Sequence, residues 1–404
     1  MERVSGLLKI CNEMLSKIPQ YLFLLFSLIS GIFLGGMFSE FFSPVASLIN
    51  AIIEVVITFV PILIFVALSP AISSLANSGR ANSLAGSVIL WYLFTSLVAG
   101  FLGLTFSALL FGLSFSASSD SLSNTIIDLF TQGSGLSASK PLFAILLAVC
   151  FGLLGAKWTR LHNLLGTIQS SLFGWGKLLS LLMVPFVLCL GISVGVQFGT
   201  QLGLTNYLLM TGYTLLLCLI WTGCYLFVVL KLTGRRSTRD VISGYYLPTA
   251  IFAAGTCSSL LTLPINLTNV KRQGVSPKIA DFVLPVGSVI NLDASALAYV
   301  AYAPFILSYV FSIQIDLLSL LMAWPAIVVF TIAAPGLPAG MGTALWSATL
   351  FASVLQLPED MTSEFVATWI AMSSGLPDMI RTATNCTGDG FASMIMERFY
   401  GERD

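Results

Sequence analysis

Ser258-Ser259-Leu260-Leu261-Thr262-Leu263-Pro264 and Ala334-Pro335-Gly336-Leu337-Pro338-Ala339-Gly340 interrupt two apolar stretches, 245–270 and 318–356. A helix that spans a bilayer avoids such runs of Pro, Gly, Ser and Thr. Each backbone group freed in hydrocarbon costs several kcal/mol unless protein or a lined cavity satisfies it. Each stretch is therefore expected to form two short half-helices joined at a tip, a re-entrant hairpin. The plainer alternative is a kinked ordinary helix. Two matched units argue against it, because each broken stretch leads into a full apolar span, giving 245–311 and 318–396. Paired broken segments entering from opposite faces are the pattern of an inverted repeat, with a binding site near the bilayer midplane.

The rest of the chain agrees with a membrane setting. Its 404 residues are 56% hydrophobic and 9% charged, 18 basic and 18 acidic. A soluble domain of that length and average composition would carry about 100 charges. A soluble enzyme, a nucleic-acid binder and a disordered chain are thereby excluded. A span needs about 20 apolar residues. Candidates lie at about 21–42, 47–76, 84–114, 141–156, 167–198, 204–232, 280–311 and 364–396. The expected fold is an all-α polytopic membrane protein with eight transmembrane helices and two re-entrant hairpins. The first run is long enough to be an uncleaved span. Lys and Arg favour cytoplasmic loops. Arg3, Lys9, Lys17, Arg80, Lys157, Arg160, Lys231, Arg235, Arg236, Arg239, Lys271, Arg272, Lys278, Arg398 and Arg403 fall on one side of that topology. Both termini are then cytoplasmic, in the plasma (inner) membrane. The seven Cys form no CxxC, and His162 is expected in a polar loop.

Ionisable groups inside spans are expensive, so each is a functional candidate. Five stand out: Glu54, Asp293, Asp378, Arg381 and Asp389. Glu54, near the start of its span, reads as an interface residue. In the last span Asp378, Arg381, Thr382, Asn385 and Asp389 recur at helical spacing and form one polar stripe. A self-neutralising Asp378–Arg381 pair would explain two of them. It leaves Asp389 beside Asn385 with no basic neighbour in sequence. Asn291-Leu292-Asp293-Ala294-Ser295 supplies oxygens that suit a hard cation, with carbonyls completing the shell where a helix unwinds. Asp293 also lacks a basic neighbour. Bound cations and neutral protonated acids both remain open. The planar fork of Arg381 matches a carboxylate bidentately. With Asp378 facing an ammonium, the stripe offers a group for each end of an acidic amino acid. Free amides at the hairpin tips suit a second carboxylate.

These residues resemble the dicarboxylate/amino acid:cation symporter family, the glutamate transporter family, over essentially the whole chain. Asn291-Leu292-Asp293-Ala294-Ser295 looks like its Asn-Met-Asp-Gly-Thr signature. Asp378 through Asp389 is similar to its Asp-x-x-Arg-Thr-x-x-Asn-x-x-x-Asp. Ser258-Ser259 with Thr262-Leu263-Pro264 resembles the serine-rich first tip, and Gly336-Leu337-Pro338 the Gly-Val-Pro of the second. Tyr92-Leu93-Phe94-Thr95-Ser96 resembles the third-span motif. The resemblance implies that Arg381 holds a side-chain carboxylate and Asp378 an amino group. Thr382, Asn385, Ser258, Ser259, Gly336 and Pro338 would complete the substrate site. It implies one sodium ion at Asp389 and Asn385, and another at Asp293, Asn291, Thr95, Ser96 and Tyr92. A third would lie near Thr331 and Ala334. No covalent cofactor is implied. It further implies a homotrimer embedded in membrane lipid, with an elevator-type transport domain moving against a scaffold. On that plan 1–82 is the tail with scaffold spans one and two, and 83–140 is span three with an external loop. Residues 141–203 are scaffold spans four and five, and 204–404 are span six, both hairpins, spans seven and eight and the tail.

The chain departs from the family at Cys257, Leu260, Val289, Ala294 and Ala334, which leaves proton coupling open beside sodium. It has both the acid at Asp378 and the arginine at Arg381. Four-carbon dicarboxylate carriers of the family look as if they lack the first, and neutral amino acid carriers lack the second. The resulting expectation is a symporter for aspartate and/or glutamate. The alternatives are a proton-coupled glutamate or four-carbon dicarboxylate carrier, and, from another class, a channel-like or receptor-like membrane protein. A membrane enzyme would need a nucleophile–base or metal constellation that the sequence lacks.

Overall fold

The computed structural model describes residues 20–81, 83–114, 140–174, 176–234, 237–313, 315–333, 341–355 and 357–401. Among them every element is helical and none is a strand. The first half holds α1 (Gln20–Met37), α2 (Ser39–Ala81), α3 (Ser83–Phe111), α4 (Lys140–Gly155), α5 (Thr159–Gly174) and α6 (Gly176–Thr233). The span expected at 167–198 is divided: 167–174 end α5, and 176–198 lie in α6, where they meet the span expected at 204–232 across a kink at Gly199, whose φ is 74°. Among the described residues three helices are long and apolar enough to cross a membrane: Ser83–Phe111, Gly203–Thr233 and Pro277–Val310.

Small residues bring α1 and α6 together. Gly31 and Gly35 of α1 face Gly191 and Gly195 of α6. A Cβ on Gly31 would strike the Leu188 carbonyl, and one on Gly195 the Ile32 carbonyl. Four-residue spacing on both helices lets the backbones touch. In lipid such van der Waals contact takes over from the hydrophobic effect as the source of helix association. α2 packs on α4 and α5.

The second half begins with α7 (Thr238–Val241) and a π-helical turn, Ile242–Tyr246, leading into α8 (Leu247–Thr256). α8 and α9 (Ser259–Arg272) lie side by side and antiparallel. Thr256 bonds Thr262 at 2.9 Å near the tip, and Asn269 Nδ2 donates to Thr249 Oγ1 at 3.0 Å further down. The turn is Cys257, in the left-handed region at φ 45°. The break therefore falls just before the stretch 258–264, which forms the first turns of α9. Ser258 is its N-cap, accepting from the Leu261 N–H at 3.3 Å, as a serine at that position does well.

α10 (Pro277–Ile290) and α11 (Asp293–Phe305, ending in a π-helical turn Ile306–Val310) are separated at Asn291-Leu292. α11 is the centre of this half, with all 13 residues buried. It lies so close to α3 that a Cβ on Gly103 would strike the Leu297 carbonyl. α12 (Leu317–Ala333) and α13 (Met341–Val354) flank 334–340, which lies outside the described residues. α14 (Glu359–Ser373) and α15 (Leu376–Tyr400) complete the fold.

Two expectations are corrected. The span expected at 364–396 is two helices, because Gly375 at φ 68° and ψ −120° adopts a backbone that only glycine takes readily. His162 lies inside α5, and its Nδ1 meets Ser73 Oγ of α2 at 2.9 Å. The apolar spacing Leu161, Leu164, Leu165 continues the helix through it. The Glu54 side chain lies outside what the structure describes.

Gly191→Leu should lower the thermal unfolding midpoint in detergent or abolish a monodisperse peak. Overpacking costs about 1–3 kcal/mol, and a neighbouring backbone cannot rotate away. Gly166→Leu, where an added Cβ meets nothing within 4 Å, should not lower the midpoint.

Candidate functional site

Three helix interruptions surround one buried polar region. They are the Cys257–Ser258 turn, the Asn291-Leu292 break and the Ser374-Gly375 break. Asp293 starts α11 and Asp378 lies in the first turn of α15, so both carboxylates meet the positive end of a helix.

Asp293 is 1% exposed. Its Oδ1 accepts from Ser96 Oγ at 2.7 Å and from Thr95 Oγ1 at 3.0 Å, both on α3. The Trp221 indole of α6 approaches the same carboxylate. Asn291 donates through Nδ2 to Asp389 Oδ1 at 2.8 Å. Tyr92 is buried and donates to the Val283 carbonyl at 3.2 Å. A methyl on Gly287 would collide with both Asp389 Oδ1 and the Tyr92 hydroxyl, so the α10 backbone, Asp389 and Tyr92 converge there. Asn385 ties α15 to the start of α11. Its Oδ1 accepts the Ala294 N–H at 2.8 Å, and its Nδ2 donates to Ser295 Oγ at 3.4 Å.

Arg381 is also 1% exposed. Its Nη2 donates to Asp378 Oδ1 at 3.1 Å and to the Ser373 carbonyl at 2.8 Å, and its Nε donates to the Pro377 carbonyl at 3.3 Å. The guanidinium lies 4.5 Å from the ring centre of Tyr299 and 5.7 Å from that of Tyr302, where the ring faces attract a cation. Thr382 follows it, buried. The first hairpin reaches α15 beside this pair, where the Cys386 thiol meets Ser259 Oγ at 3.5 Å.

Six buried side-chain polar atoms have no hydrogen-bond partner among the described residues, and three of them are here: Asn291 Oδ1, Asp293 Oδ2 and Arg381 Nη1. Leaving a buried polar group unpaired costs about 1–3 kcal/mol, and more for a charge. Two of these atoms are oxygens and can accept a cation. The third is an N–H donor and can receive an anion.

Of the residues singled out in the sequence, Asp293, Asn291, Thr95, Ser96, Tyr92, Asp389 and Asn385 form one connected set. Asp378, Arg381 and Thr382 lie one and two turns away from Asn385 along α15, with Ser258 and Ser259 at the neighbouring tip. Thr331 is buried in α12, its hydroxyl donating to the Val328 carbonyl at 2.8 Å. Gly336, Pro338 and Ala334 lie outside the described residues. The sequence reading missed Trp221, Gly287, Tyr299 and Tyr302. The signal for the tyrosines is their spacing of three beyond the Asn291–Ser295 motif, which places both on one face of α11.

The architecture is that of an integral membrane protein built wholly, among the described residues, from helices. The chain belongs to the sodium:dicarboxylate symporter family, whose sequence profile matches residues 21–399; this is a family of symporters, not enzymes. It is 31% identical over 165 residues to the putative sodium-dependent excitatory amino acid transporter glt-6 of Caenorhabditis elegans, covering 40% of this chain and 28% of that protein. It is 32% identical over 175 residues to human excitatory amino acid transporter 1, covering 42% and 30%. To the C4-dicarboxylate transport protein of Geobacter sp. (strain M21) it is 24% identical over 289 residues, covering 70% and 62%. The chain thus spans less than two thirds of each of these relatives' own length.

Gly287→Ala is expected to force Asp389 and Tyr92 apart. It should lower the unfolding midpoint in detergent by several degrees, the scale of about 1–3 kcal/mol for an overpacked site. Gly212→Ala, with nothing within 4 Å of the added carbon, is the control and should not.

Proposed function

We propose that this chain is a secondary active symporter that imports an acidic amino acid, aspartate or glutamate, together with sodium ions. The observation that carries this reading is the buried Asp378–Arg381 pair, 3.1 Å apart, with Arg381 Nη1 unpartnered. A buried ion pair with spare hydrogen-bonding capacity is a poor stabilising device. It is a good receptor for a ligand that brings an ammonium to Asp378 and a carboxylate to Arg381. Thr382, Asn385, Ser258 and Ser259 would hold the remaining groups, with Gly336 and Pro338 at the second tip.

The sodium ions are cargo that travels with the substrate. Asp293, Asn291, Thr95, Ser96 and Tyr92 would hold one. The unpartnered Asp293 Oδ2 and Asn291 Oδ1 support this, since hard oxygens without donors suit a hard cation. Asp389 and Asn385 would hold a second, and the region of Thr331 and Ala334 a third. Eight spans and two re-entrant hairpins would divide into a scaffold and a transport domain at the boundaries given above. The transport domain would move as an elevator within a homotrimer in the plasma (inner) membrane, both termini cytoplasmic. A second reading, a proton-coupled carrier of four-carbon dicarboxylates, is favoured by the likeness to the Geobacter protein. It leaves Asp378 without an ammonium to meet.

Uptake of radiolabelled aspartate into proteoliposomes separates the readings. An inward sodium gradient should drive accumulation, and a proton gradient alone should not. Uptake indifferent to both gradients would overturn symport. Arg381→Ala should reduce transport efficiency for aspartate by about a hundredfold, the scale of a lost charge-assisted contact of about 3 kcal/mol. Asp378→Asn should weaken aspartate uptake more than succinate uptake. The opposite order would favour the dicarboxylate reading.

A further inference from the structure

We propose that Tyr207 is a positioning residue, whose hydroxyl sets the geometry of the Ser374-Gly375 break and through it the aim of Arg381. This inference rests on the function proposed above. Tyr207 lies on α6 and is 1% exposed. Its hydroxyl donates to the Ser374 carbonyl at 3.1 Å and accepts the Leu376 N–H at 2.9 Å. One side chain from another helix thus closes both sides of a helix break, using the donor and the acceptor capacity that only a hydroxyl combines at one atom.

Further groups at the break are paired nearby. Ser374 Oγ donates to the Ile370 carbonyl at 2.6 Å, the Ser374 N–H reaches the Ala371 carbonyl at 3.3 Å, and the Met379 N–H takes the Gly375 carbonyl at 3.0 Å. The Ser373 carbonyl is taken by Arg381 Nη2, and the Pro377 carbonyl by Nε. Those two carbonyls flank the break that Tyr207 holds. They set the plane of the guanidinium, and so the direction in which the unpartnered Nη1 points. Phenylalanine at 207 would keep the ring in its buried seat and leave one N–H and one carbonyl unpaired. The break would then relax to pair them, carrying the Ser373 and Pro377 carbonyls with it. Tyr207 does not touch the guanidinium, so it acts only through these carbonyls.

The test is Tyr207→Phe in full-length protein reconstituted into proteoliposomes. Its KM for aspartate should rise about tenfold, the scale of losing hydrogen bonds to two buried groups, with the maximal rate close to that of the unmodified protein. Competition should also shift: the preference for aspartate over asparagine, which Arg381 would provide, should shrink by a similar factor. A role in stability alone would lower the maximal rate through fewer folded carriers and leave that preference intact. Unchanged KM and preference, or a change confined to maximal rate, would overturn the proposal. Should Tyr207→Phe fail to give a monodisperse protein, Gly375→Ala strains the same break at φ 68° and is expected to raise KM in the same way; an unchanged KM there would equally overturn it. Failure of the function itself would show differently, as absent aspartate uptake in the unmodified protein or uptake insensitive to Arg381→Ala.

Discussion

Backbone polar groups cannot be left bare in hydrocarbon, and this constraint organises the molecule. A helix that crosses without interruption satisfies itself. A helix that breaks must borrow partners, and the borrowed partners here are the residues that build the site. At Cys257–Ser258 the Ser258 hydroxyl takes the Leu261 N–H, and the Ser258 carbonyl receives the Thr262 hydroxyl at 2.8 Å. At Asn291-Leu292 the Asn385 side chain crosses from α15 to take the Ala294 N–H. At Ser374-Gly375 Tyr207 closes both sides. Breaking a helix in a membrane exposes carbonyls and amides that can face a ligand; the first break is closed by its own hairpin, and the breaks before α11 and α15 each take a matching group from another helix.

The first hairpin is held to α15 by the same means. Tyr245 donates to Asn266 at 2.9 Å and reaches the Thr387 carbonyl at 3.0 Å, while Asn266 Nδ2 donates to the Cys386 carbonyl at 2.7 Å. The approach is so close that a Cβ on Gly390 would overlap the Tyr245 ring. Two successive carbonyls of α15, at Asn385 and Cys386, thus accept side-chain amide donors from other elements. α15 is consequently the common member of both polar clusters. It carries Asp378 and Arg381 near its start and Asn385 and Asp389 further along, so whatever occupies one cluster can bias the other through a single rigid element. On the proposed function this is how cation and substrate binding would be linked.

Hydrophobic runs and isolated charges were readable in the sequence because both report on solvent. A carboxylate such as Asp293 in an apolar run stands out wherever the chain folds. The break at the first tip was readable to within a residue, since Ser, Thr and Pro cluster there. The break before α15 was not. Its only sequence mark is Gly375 after two serines, and the partner that stabilises it, Tyr207, lies 169 residues away by chain separation. Trp221, Tyr299 and Tyr302 were hidden for a related reason. In a chain that is 12% aromatic, an aromatic facing a guanidinium reads like any other core residue. Likewise His162, polar and alone, read as a loop, although the leucines around it keep helical period. Tertiary partners across long separations are what local pattern cannot supply.

The charge at the centre then decides what else must bind. Asp293, Asp378 and Asp389 set three carboxylates against the single guanidinium of Arg381, all nearly fully buried. Arg381 offsets Asp378 alone. Hydroxyls of Thr95 and Ser96 and the amide of Asn291 solvate the other two acids without neutralising them. An acidic amino acid carries one ammonium and two carboxylates, so its entry would make the cluster more negative. Moving such a charge through a low-dielectric region is far costlier than moving a neutral one. Either the acids take up protons or cations bind with the substrate. On the proposed function the second course operates, and the oxygens of Asn291 and Asp293 that lack donors would receive the cation. The same arithmetic would keep a cation-loaded site without substrate from matching the fully loaded one, which is the condition for coupling.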